Sequence, residues 1–168
     1  MKTFRRLATL LTVALILMAC SGSGEPEAAS DNGGPVTASG FPAMSVADLE
    51  SFLAKNADKP TLALMWTTWC PSCKQELPEL EALQASHGDR VNIMAISLDE
   101  DAQALKKFFS GKKLDLPVYH GDEALGRKFG VEAIPTLLIF DTTGKLVFNQ
   151  PGVFPHAMLE RMVGGMLK

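Results

Sequence analysis

The sequence predicts an α/β protein in which a central mixed β-sheet carries helices on both faces. Three observations lead there. From Ser45 onward, apolar runs of strand length alternate with segments whose apolar residues recur at helical spacing. Two of those runs, residues 61–66 and 91–97, are apolar enough to be covered on both faces, as inner strands of a layered sheet are. Near the end, Thr143-Gly144 separates two short strand-like runs, so a hairpin adds antiparallel pairing to strands that helices otherwise connect.

Each element has its own signal. Ser45 with Asp48 in the first turn opens a helix to about Asn56. Residues 61–66, TLALMW, form the central strand. Pro71 suits a first helical position, where its missing N–H has no partner to lose. The helix that follows, 74–86, shows an inward stripe of Glu76, Leu77, Leu80, Leu83 and Gln84, and Pro78 is expected to interrupt its hydrogen-bond ladder. Residues 91–97 are the second strand, and 101–109 a helix with Leu105, Phe108 and Phe109 inward. A short strand at 116–119 and a short helix at 123–129, closed by Gly130, come next. The hairpin strands are 136–140 and 145–149, and 155–167 is a last helix weakened by Gly164-Gly165.

The 168 residues fit one ordinary domain plus extensions. The extensions lie at the N-terminus. Lys2, Arg5 and Arg6 precede an apolar run from Leu7 to Ala19 that is shorter than the roughly 20 residues needed to span a bilayer but suits the core of an export signal. Residues 21–43 are dominated by Ser, Gly, Glu, Pro, Ala and Asn, a composition that cannot bury enough surface to offset its ordering entropy. The expected organisation is therefore a signal at 1–19, Cys20 with a flexible linker to 43, and a folded domain over 44–168. Loss of three basic residues with the signal takes the formal charge from −3 to −6. A mildly acidic domain argues against nucleic acid as a partner. The pairs Lys106-Lys107 and Lys112-Lys113 read as solvated helix ends.

The chemistry centres on Trp69-Cys70-Pro71-Ser72-Cys73 at a strand-to-helix junction. Helical i, i+3 spacing sets the two Cα atoms about 5 Å apart, within disulfide range. Cys70 would cap the helix, its sulfur facing the N–H groups of Ser72 and Cys73, which with the helix dipole lower a thiol pKa. Cys73, inside the first turn, is expected to be more buried. Cys70 is then the attacking thiol and Cys73 the resolving one, and the redox-active pair needs no other cofactor. A static disulfide is the plain alternative. A zinc site lacks a second Cys or His pair at ligand spacing.

Taken together, Trp69-Cys70-Pro71-Ser72-Cys73 and Ile134-Pro135-Thr136 resemble the thioredoxin superfamily, and Lys74-Gln75-Glu76-Leu77-Pro78 resembles its bacterial TlpA/ResA-type (DsbE-like) thiol:disulfide oxidoreductases, over roughly residues 44–168. The resemblance implies a thioredoxin fold. It also implies a cis bond at Ile134-Pro135, a substrate-facing role for Trp69, Pro71, Ile134 and Pro135, and a proton-transfer role for Glu76 beside Cys73. The implied partners are disulfide-containing exported proteins, with cytochrome c maturation as one setting, and a transmembrane electron donor of the DsbD/CcdA kind. Thioredoxin proper has an aspartate where this chain has Leu64. Leu17-Met18-Ala19-Cys20 resembles a lipobox, which implies a diacylglycerol anchor on Cys20 and a domain facing the periplasm or the cell exterior. Packing alone is the alternative for Trp69, and a surface position the alternative for Glu76. His87, His120 and His156 read as surface or loop residues, and Asp99-Glu100-Asp101 as an acidic helix start.

Two other functions stay open on sequence. Thr67-Thr68-Trp69-Cys70 fits the T-x-x-C of a peroxiredoxin-like peroxidase, without the expected upstream proline. A thioredoxin-fold copper-binding chaperone could use the soft thiolates, although such proteins separate their cysteines by three residues.

Overall fold

The computed structural model describes residues 40–167. The signal, the lipobox with Cys20 and all of the linker up to residue 39 lie outside the described residues. Six strands form one sheet: β1 (Ala43–Met44), β2 (Thr61–Trp66), β3 (Asn92–Ser97), β4 (Val118–Gly121), β5 (Thr136–Phe140) and β6 (Leu146–Pro151). Five helices connect or follow them: α1 (Val46–Lys55), α2 (Pro71–His87), α3 (Gln103–Phe108), α4 (Glu123–Lys128) and α5 (His156–Met166). The strand order is β1-β4-β3-β2-β5-β6. The first four strands in that order pair in parallel; β2 with β5 and β5 with β6 are antiparallel. The expected mixed sheet with helices on both faces is what forms.

Strand β2 lies at the centre, all six of its residues buried. Alternation along it sorts the core into two layers. Leu62, Leu64 and Trp66 face α2, α3 and α5 through Leu77, Leu80, Leu105, Leu159 and Val163. Ala63 and Met65 face α1 and α4 through Leu49, Phe52, Leu53 and Leu125.

Local chemistry explains most boundaries. Ser45 caps α1 in a reciprocal capping box with Asp48: Ser45 Oγ accepts from Asp48 N–H at 3.2 Å, and Ser45 N–H donates to Asp48 Oδ2 at 2.9 Å. The hairpin turns on Asp141, whose Oδ1 accepts N–H groups from Thr143 and Lys145, and on Gly144 at φ +77°. Helix α2 runs from Pro71 to His87 with Pro78 inside it.

Four expectations need correction. The chain joins the sheet before the expected end of the linker: Ala43 pairs with His120, Met44 is buried, and Phe41 meets Phe109 at 5.4 Å between ring centroids. Strand β1 has two residues, too few to show a period. Helix α3 starts two residues late: Asp101 stays outside it, its Oδ1 accepting the Gln103 N–H at 2.8 Å, Ala102 offers no capping side chain, and Asp99 turns inward. Strand β4 starts two residues late, and His120 lies within it, half-buried, not in a loop.

Candidate active site

The site forms where β2 ends and α2 begins. Cys70 is the N-cap residue of α2, in extended conformation, and Pro71 is the first helical residue. Cys70 and Cys73 are disulfide-bonded, their Cα atoms 5.3 Å apart. The Cys73 N–H donates to Cys70 Sγ at 3.2 Å. Ser72 contributes differently from expectation: its hydroxyl, not its N–H, lies 3.3 Å from Cys70 Sγ. These dipoles are aimed where a thiolate would carry charge after reduction. Burial is graded as the spacing implied, Cys70 keeping 4 % of its surface and Cys73 none.

The Ile134-Pro135 bond is cis. The Ile134 carbonyl oxygen lies 3.8 Å from Cys70 Sγ, so residues 64 positions apart meet over the dithiol. Thr136 Oγ1 donates to the Ala133 carbonyl at 2.5 Å and closes that loop. Trp69 is 69 % exposed, which rules out the packing alternative. Pro71 is exposed, Ile134 half-buried and Pro135 buried.

Glu76 follows Cys73 by three residues on the same face of α2 and is fully buried. The surface alternative for it is therefore excluded. Its Oε2 accepts the Phe154 N–H at 2.7 Å, and its Oε1 has no hydrogen-bond partner. Burial pushes the Glu76 carboxyl up to about 7; the Phe154 N–H opposes that rise, and the nearby Glu79 charge adds to it. A carboxyl tuned there can exchange a proton near neutral pH. Glu79, one turn on, accepts the His156 N–H at 2.7 Å. The segment between β6 and α5, at Phe154, and the first residue of α5, His156, are thus each fastened to α2.

Leu64 is buried in the layer that also holds Cys70 and Cys73. Leu64 therefore offers no carboxylate there, and the buried carboxyls among the described residues are Glu76 and Asp99. The Cys70 sulfur is contacted by Ser72, Cys73 and Ile134, and the three histidines have other partners. His87 Nδ1 lies 2.8 Å from Ser86 Oγ, His120 Nε2 lies 2.7 Å from the Asp99 carbonyl oxygen, and His156 Nε2 lies 3.3 Å from Glu160. Sequence reasoning missed two contributors. Phe154 supplies the N–H that Glu76 accepts, and Asp99 holds Thr68 beside the dithiol. Neither had a local signal, since each contact spans more than 30 residues.

A capped, helix-borne disulfide beside a cis-proline loop, with an exposed indole before it and a buried carboxyl of raised pKa behind it, defines a thiol-disulfide oxidoreductase. Comparison with known proteins agrees. The sequence fits the model of a family described as thioredoxin-like over residues 58–146, more than half of the chain, and the chain belongs to that family. It is 29 % identical over 116 residues to the thiol-disulfide oxidoreductase YkuV of Bacillus subtilis, covering 66 % of this chain and 78 % of that one. It is 31 % identical over 112 residues to the thiol-disulfide oxidoreductase ResA of Bacillus thuringiensis, covering 63 % and 64 %. Among solved structures, the exposed lipoprotein thioredoxin Etrx1 of Streptococcus pneumoniae superposes with a TM-score of 0.62 over 67 % of this chain and 89 % of that one, at 23 % identity, a likeness of fold. The fold is that of thioredoxin, as the residues around both cysteines implied.

Proposed function

We propose that this oxidoreductase works as a reductase of disulfides in exported proteins, held outside the cytoplasm by a lipid on Cys20. The observation that carries the reading is the buried Glu76 one turn from Cys73. In the reduced protein, the Cys70 thiolate attacks one sulfur of a substrate disulfide. A mixed disulfide forms and the first substrate sulfur leaves as thiolate. Glu76 takes the proton of Cys73. The Cys73 thiolate then attacks Cys70 Sγ, the Cys70–Cys73 disulfide forms, and the second substrate sulfur departs. Two electrons pass to the substrate, whose thiolates take up protons. Trp69, Pro71, Ile134 and Pro135 form the face that the substrate chain meets.

The lipobox, the preceding basic and apolar segment and the polar linker support the anchored location. An oxidising exterior requires that electrons be resupplied, and a transmembrane donor of the DsbD/CcdA kind suits that need. Cytochrome c maturation is one process such a reductase serves.

The redox midpoint of the Cys70–Cys73 couple against glutathione tests the direction. A value well below about −180 mV is expected, and one near that of strong oxidants, about −120 mV, overturns the reductase reading. Trapping tests the substrate class. Cys73→Ala leaves Cys70 unable to release its partner, so exported proteins should accumulate as mixed disulfides, and their absence from cells would count against the reading. Cys20→Ser should move the protein from the membrane to the soluble fraction.

A further inference from the structure

The last backbone rung between β2 and β3 at this end runs from the Leu98 N–H to the Trp66 carbonyl, at 2.8 Å. Beyond it, residues 67–69 leave the ladder and turn toward α2. Asp99 reaches across that gap. Its Oδ2 accepts the Thr68 N–H at 2.9 Å, and its Oδ1 accepts the Thr68 hydroxyl at 2.8 Å. Ser97 Oγ donates to the same Oδ2 at 2.6 Å and accepts the Asp99 N–H at 3.1 Å. His120 Nε2, from β4, lies 2.7 Å from the Asp99 carbonyl oxygen.

Asp99 is 5 % exposed, and three donors converge on its carboxylate. Charge-assisted bonds in a desolvated place are the strong kind. They hold Thr68 by two groups at once, its N–H and its Oγ1, which fixes both backbone and side chain. Thr68 immediately precedes Trp69, and Trp69 immediately precedes Cys70. A large indole that stays 69 % exposed needs a backbone that points it outward.

We propose that Asp99 is a positioning residue for the dithiol: by clamping Thr68 it holds the turn that presents Trp69 to a substrate polypeptide beside Cys70. The clamp acts on recognition and not on sulfur exchange itself. Asp99 touches neither cysteine among the bonds described, whereas Thr68 and Trp69 share a peptide bond. The inference rests on the proposed role of Trp69 as part of the face a substrate protein meets.

The test compares the full-length wild type with Thr68→Val, Thr68→Ser and Asp99→Asn. Each is assayed on the disulfides of insulin and on a small aromatic disulfide, with dithiothreitol supplying electrons. Thr68→Val and Asp99→Asn should raise KM for insulin by roughly five- to tenfold, the scale of about one net hydrogen bond lost from the positioning of Trp69. They should leave kcat, and the rate with the small disulfide, within about twofold. Thr68→Ser keeps the hydroxyl and should behave as wild type. An unchanged KM for insulin in Thr68→Val overturns the inference, and so does an equal fall on both substrates, which marks a general loosening. Should Asp99→Asn fail to fold, Thr68→Val decides, since it keeps the carboxylate with the Thr68 N–H and Ser97. A wild-type chain active on the small disulfide and inactive on insulin would remove the protein-reductase reading, and the inference with it.

Discussion

At the scale of single residues, Glu76 shows how a site is tuned by what surrounds it. Its carboxyl titrates near 7 because it is buried, and one N–H from Phe154 only partly offsets that. Proton binding is tighter in the folded chain than in the unfolded one, so linkage gives the sign. Below the ordinary value near 4.5 the acid is neutral in both states and its contribution is fully present; it is lost as pH rises to about 7. Denaturant unfolding of the oxidised protein should therefore show stability falling by about 3 kcal/mol between pH 4.5 and pH 8 through this group alone. Glu76→Gln, whose carbonyl can still accept the Phe154 N–H, should remove most of that slope. A variant with the wild-type slope would place the titrating group elsewhere. The same substitution should slow resolution by Cys73 and abolish its inflection near pH 7, seen by stopped-flow decay of the mixed disulfide.

At the scale of elements, the sequence was most legible where one residue governs a boundary. Ser45 and Asp48 announced α1, and Cys70-Pro71 announced α2; both starts are capped as their side chains imply. Ser45→Ala should cost about 1 kcal/mol in urea unfolding, the usual worth of such a cap, and Ser45→Gly less. Where the deciding contact is distant, the elements were legible only approximately. Asp99 read as the start of a helix, since nothing nearby shows that Thr68, 31 positions away, needs its carboxylate. The burial of Glu76 depends on Phe154, 78 positions away. The resemblance carried by Glu76 and Pro78 pointed to the right residue, while its physical reason became visible only in the packed structure.

At the scale of the whole molecule, the mixed sheet with helices on both faces follows from the alternation of strands and helices and the terminal hairpin, but its strand order and outer edge do not. The segment that precedes α1 has a linker's composition, and still Met44 is buried and the Pro42 carbonyl accepts the His120 N–H at 2.9 Å. A chain beginning at residue 40 should match the full chain in urea midpoint. One beginning at Ser45 should lose roughly 2 kcal/mol, about what burying one large apolar side chain contributes, together with the edge pairing of β4. Equal midpoints would show that the edge strand adds nothing.

The sheet also separates two layers that need not know of each other. The dithiol, Glu76 and α5 share one side, while α1 and α4 close the other, where Lys128 and Glu50 pair at 3.0 Å on the surface. That back surface is a place for a handle. A fluorophore, a bead or a second protein attached through α1 or α4 would leave the face around Trp69 and the dithiol uncovered, and sequence drift there could rebuild the packing without touching the chemistry on the other side.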